Sequence, residues 1–211
     1  VRYSAPRRRP RRSPLGDRIQ TGGNLMATLI LVAVIALIAF WVIGAYNRLV
    51  GLRGQVANAW KQIDVQLKRR HDLIPNLVET VRGALKFERE TLDAVISARA
   101  KAMGAQGVHD VARAEGELTQ ALGRLFALSE AYPELKSLAN VSQLQEELSS
   151  TENKVAFARQ HYNDVATTYN VVQQQFPTNL VAGLAKATPA ELWEITEPGE
   201  RDVPKVDISI G

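Results

Sequence analysis

The run Leu25–Ala45, LMATLILVAVIALIAFWVIGA, limits what this chain can fold into more than any other stretch. No Asp, Glu, Lys or Arg occurs between Ile19 and Asn47. About 20 apolar residues rising ~1.5 Å each span the ~30 Å hydrocarbon core of a bilayer. In that medium a helix satisfies all its own backbone polar groups. Leu25 opens the span and Ala45 closes it. Trp41 and Tyr46 stand at its far end, where amphipathic rings favour the headgroup layer. A buried helix of a soluble domain is usually shorter and keeps a polar stripe. A signal peptide has an apolar region of about 7–15 residues and a small-residue cleavage site. The sequence predicts a membrane anchor.

Charge is distributed unevenly around this span. Residues 1–45 hold seven Arg and one Asp, leaving 19 basic and 21 acidic residues beyond it, a net of −2 against +4 for the whole chain. The basic character therefore belongs to the arm, and a nucleic-acid-binding domain, which concentrates positive charge on itself, is not indicated. Residues 1–24, rich in Arg, Pro and Gly, are expected to be disordered and to favour anionic lipid. Six Arg between Arg7 and Arg18 outnumber Arg48, Arg53 and Lys61, which places the arm in the cytoplasm and the rest outside it. Met26 stands in the first turn of the apolar run. A chain starting there would carry its positive flank on the other side and face the opposite way.

Beyond the anchor the pattern is helical. Leu49, Leu52, Val56, Trp60, Ile63 and Leu67 fall at spacings of three and four. With Asp72 as a cap and Pro75 in a first turn, the sequence predicts a reversal near His71–Ile74 and a second helix from Pro75 to Met103. The alternative is one kinked helix. Gly104–Gly107 reads as a turn, and Asp110 as the cap of a third helix that ends near Tyr132-Pro133. A fourth helix carries its stripe from Val141 to Phe176 and stops at Pro177, with a polar interruption at Thr151–Glu152. The expected fold is all-α: an anchor followed by an antiparallel up-and-down four-helix bundle over residues 46–176. Residues 177–211 read as a tail with a short helix within Thr178–Ala187. Its apolar cluster of Leu192, Trp193 and Ile195 either docks on the bundle or awaits a partner.

The stretch YNRLVGLRGQVANAWKQIDVQLKRRHDLIPNLVETVRGALKFERETLDAVISARAKA at Tyr46–Ala102 resembles the LemA family of bacterial single-span membrane proteins. So do ENKVAFARQHYNDVATTYN at Glu152–Asn170, QFPTNLVA at Gln175–Ala182 and PKVDI at Pro204–Ile208. The resemblance implies one membrane helix, a four-helix bundle and no established reaction. It also implies a bacterial cell membrane as the location and, as partners, other membrane proteins, among them a membrane protease or a TPM-domain protein. Asn47, Trp60, Asp64, Arg70, Asp72, Pro75, Asn76, Glu79, Arg99, Asn153, Arg159, Asn163 and Asn170 fit the family's pattern. Together with Glu152 they are candidates for inter-helix bonds or for a partner surface. Arg99 and Arg159 are the candidates to bridge carboxylates such as Asp64 or Glu152.

Catalytic chemistry finds no foothold. Cys is absent, so thiolate ligands and thiol nucleophiles are excluded. None of His71, His109 and His161 is preceded by Glu at three positions, as a di-iron bundle requires. No HExxH motif or phosphate-cradling loop occurs. The expectation is a non-enzymatic scaffold without cofactor, metal or nucleic acid, lying on the lipid bilayer. The alternative is a homo-oligomer that shapes or organises the membrane.

Overall fold

The computed structural model describes residues 15–84, 89–132, 135 and 138–194, with side chains from Leu25 onward except that of Ala84. Among the described residues every regular element is helical. We label them α1 (Leu15–Ala84), α2 (Arg89–Gly104), α3 (Val108–Ala131), α4 (Ala139–Gln174) and α5 (Asn179–Ala182). Two compact units meet in the chain between Asn47 and Arg48.

The first unit holds the apolar part of α1. Its side chains are exposed along almost the whole run, among them Leu29, Ile35, Leu37 and Phe40, with Val42 and Ala45 half-buried. Apolar side chains on every face, with little covering them among the described residues, are the pattern of a helix suited to hydrocarbon. Helix begins at Leu15, ten residues inside the arm expected to be disordered. Adding a residue to an existing helix gains one hydrogen bond without a new nucleus, so helix spreads outward from the apolar segment. Residues 1–14 of that arm lie outside the described residues.

In the second unit, neighbours fix the helix directions. Along α1, Leu49 packs with Tyr169 and Val172 of α4, while Ile63 clusters with Val155 and Tyr162, so α4 runs antiparallel to α1. Arg70 of α1 meets Glu115 and Thr119 of α3. Ile74, Leu77, Val78 and Val81 share a core with Leu92 and Val95 of α2, Leu118, Leu122 and Leu125 of α3, and Val141 and Leu148 of α4. Around this core the unit is an up-and-down bundle of four helices. Nearer Leu49 the company changes: α1 and α4 face each other, joined by the first turn of α3 and by the chain at Ala190–Trp193.

The expected reversal at His71–Ile74 does not occur. Pro75 lies inside α1, which continues to Ala84, and Asp72 caps nothing. Proline removes the hydrogen bond that residue 75 would give to the carbonyl four residues earlier, that of His71. Arg99 Nε of α2 donates to this carbonyl at 2.8 Å. A side chain 24 residues away along the chain thus fills the bond that Pro75 vacates, and the helix survives its proline. Asp110 is also not a cap. Gly107 holds that place with φ 81°, a backbone region open to glycine, and its carbonyl accepts from Val111 N at 3.1 Å. The polar step in α4 is absorbed locally: buried Thr151 donates to the carbonyl of Leu148 at 2.7 Å.

Candidate functional site

Two polar constellations stand out in the second unit. The first lies between α1 and α3. Arg70 Nη1 reaches Glu115 Oε2 at 3.4 Å, Arg70 Nη2 donates to Thr119 Oγ1 at 3.0 Å, and His71 Nε2 lies 2.6 Å from Glu115 Oε1. All three side chains are nearly or fully buried, and Arg70 Nε has no hydrogen-bond partner among the described residues. Periodicity placed them there: Arg70 sits three residues after Leu67 and four before Ile74, while Glu115 lies between Val111 and Leu118 on α3. A carboxylate on an apolar stripe was the signal for this pairing, and sequence reasoning passed over Glu115, His71 and Thr119. The cluster is closed on itself. The guanidinium beside Glu115 disfavours a cation there, and no group of three or more His, Cys, Asp or Glu converges among the described residues.

The second constellation clasps the chain after α5. Asn163 and Asn170 on α4 each bond one residue of this strap in both directions. Asn163 Oδ1 accepts from Trp193 N at 2.8 Å and its Nδ2 donates to Trp193 O at 2.9 Å. Asn170 does the same with Ala190 N and O, both at 2.8 Å. Seven helical residues advance about 10.5 Å and three extended residues about 10 Å, so two side chains on α4 match two positions of the strap. Tyr162 Oη donates to Glu191 O at 2.7 Å, and burial, then the Glu191 charge, pushes its phenol above the usual range. Trp193 seals the site. Its ring lies 6.0 Å from that of Trp60, which meets Tyr162 edge-on at 5.4 Å, and Arg159 stands 5.4 Å from the Trp193 ring centre.

The tail cluster therefore docks: Trp193 is buried, Leu192 stays exposed, and Ile195 lies outside the described residues. The remaining candidates scatter. Asn47, Asn76, Glu79, Glu152 and Asn153 are exposed, Glu79 pairing with Arg82 at 3.5 Å. Asp72 is exposed and bonded to Lys68 at 2.7 Å, which lowers its carboxyl below the usual range. Partial desolvation raises that of Asp64. The bridges expected from Arg99 and Arg159 to Asp64 or Glu152 do not form. Neither carboxylate joins an ion pair among the described residues, because both lie on outer faces, away from the seams where those arginines sit.

The LemA family model matches residues 59–208, more than half of the sequence and including both constellations. The chain belongs to the LemA family. It is 28% identical over 156 residues to Protein LemA of Metamycoplasma hominis, covering 73% of this chain and 71% of that one. It is 23% identical over 210 residues to Magnetosome protein MamQ 2 of Paramagnetospirillum magneticum, covering 86% and 77%. It is 25% identical over 189 residues to Magnetosome protein MamQ of Magnetospirillum gryphiswaldense, covering 76% and 70%. Among its described residues this LemA protein has one helix long and apolar enough to cross a membrane, near the N-terminus.

Proposed function

We propose that this LemA protein is a non-enzymatic scaffold, anchored by its single span, whose bundle holds other membrane proteins at the bilayer surface, with the bundle on the extracytoplasmic side. A membrane protease or a TPM-domain protein is the expected kind of partner. The observation that carries this reading is the closure of both polar constellations on the chain itself. Arg70 and His71 both bond Glu115, and Asn163 and Asn170 bond the strap, so among the described residues these groups are engaged in packing. Confinement to the plane of the membrane supports the scaffold role, since tethering raises effective concentration without any new contact.

Purification in mild detergent followed by crosslinking and mass spectrometry tests the proposal. A recurring membrane protein crosslinked to the bundle is expected, and a monomer without a recurring partner refutes it. The second reading, an oligomer that organises lipid, draws on exposed Val65 and Phe157, which border an open groove between α1 and α4. Rings or large particles in negative-stain images would favour it over a small stoichiometric complex.

A further inference from the structure

We propose that the corner formed by the end of α4 and by α5 is a second membrane contact, one that lies in the headgroup layer while the apolar span crosses the bilayer. Phe176, Leu180 and Leu184 are 80%, 67% and 74% exposed, although the same segment turns Val181 inward to 2%. Both faces of this short segment are thus apolar. The inner face packs: Ala182 and Ala185 lie against Leu49, Tyr169 and Val172. Among the described residues nothing covers the outer face, and large apolar side chains grouped in this way mark an interaction surface.

Lipid is the occupant this position selects. Leu49, against which the corner packs, follows the last residue of the apolar run, Ala45, by only four residues. Four residues reach at most about 14 Å even fully extended, and about 6 Å as helix. The headgroup layer itself is about 5–8 Å deep on each side of the hydrocarbon. Because α1 is helical from Ala45 through Leu49, the shorter reach applies and Leu49 falls within the depth of that layer, with Ala182 and Ala185 packed beside it. Charge agrees. From Val165 to Ala190 there is no Asp or Glu and one cation, Lys186; from Tyr46 to Ile63 there is again no acidic residue, and Arg48, Arg53 and Lys61 are present. An apolar ridge with cations and no carboxylates suits an interface bearing anionic lipid.

The proposal rests on the anchor reading, and the test separates the two. The native chain has no Cys, so the full-length protein with Leu184→Cys carries a single environment-sensitive fluorophore. It is reconstituted in vesicles of phosphatidylcholine and phosphatidylglycerol. Phe40→Cys in the span and Gln106→Cys in the α2–α3 turn serve as references, and Leu180→Cys repeats the reading on the same ridge. The expected result is blue-shifted emission at positions 184 and 180, quenched by lipids spin-labelled near the headgroup and resistant to iodide, with position 106 showing the reverse. Emission at 184 and 180 that matches position 106 overturns the ridge contact, while lipid quenching at position 40 keeps the anchor. Shielding at 184 and 180 from both quenchers means that protein covers the ridge, and equally overturns the proposal.

Discussion

Replacing Glu115 with Leu removes one negative charge from a site where two other ionisable side chains depend on it. Arg70 would keep its bond to Thr119 at 3.0 Å but lose its one carboxylate partner among the described residues, and His71 would lose a partner at 2.6 Å. Breaking a buried ion pair by deleting one member costs about 3–5 kcal/mol, because the remaining charge is stranded without water. The 3.4 Å separation of Arg70 and Glu115 is long for a charge-assisted bond, which favours the lower end of that range. In a domain of this size each kcal/mol shifts the melting temperature by about 2–4 °C, so a loss of about 6–20 °C is expected. The assay is thermal unfolding of the full chain in mild detergent, followed by far-UV circular dichroism. The decisive companion is Arg70→Met with Glu115→Leu, which removes both opposite charges and keeps comparable volume. Such replacements are often neutral or stabilising. The double variant should therefore recover most of the loss. A double variant as unstable as the single one would show that the cost lies in shape and not in stranded charge, and a single variant within about 1 kcal/mol of the native chain would refute the reasoning altogether.

Three further outcomes follow from the same contacts. Arg99→Ala should cost about 1.5–3 kcal/mol as a charged donor to a buried carbonyl is lost, and much less in a Pro75→Ala background, where residue 75 regains its N–H; a double-mutant cycle by denaturant unfolding measures the coupling. Asn163→Ala with Asn170→Ala removes four bonds to the strap, each contributing about 0.5–1.5 kcal/mol, and should free it, seen as faster proteolysis after Lys186 and red-shifted tryptophan emission. Desolvation holds the Asp64 carboxyl above its unfolded value, so the folded chain binds that proton more tightly; the penalty is absent below the unfolded value and grows as pH rises through the raised one. Asp64→Asn should accordingly stabilise the protein slightly at neutral pH and leave it unchanged in acid, as paired unfolding curves would show.

Local chemistry was enough to reveal the apolar run and the helical character of the chain after it. Leu25–Ala45 has no charge and is apolar on every face, and the three-and-four rhythm from Leu49 to Phe176 marks helix faces whatever they pack against, which is why the ends of α3 and α4 lie close to where Gly107, Pro133 and Pro177 put them. Pro75 departs from its local expectation for the opposite reason. Proline breaks a helix by the bond it cannot make, and whether another group makes that bond depends on where α2 folds back, which no neighbour of Pro75 reveals. Arg99 answers that question only in three dimensions. Glu115 shows the same limit: its place on an apolar stripe announces burial, but its partners on α1 are set by the register of two helices. Asn163 and Asn170 are seven residues apart on one face of α4, visible as a pattern without a target. Only the folded chain brings Ala190 and Trp193 beneath them, because matching an advance of two helical turns to three extended residues is a property of tertiary structure and not of either segment alone.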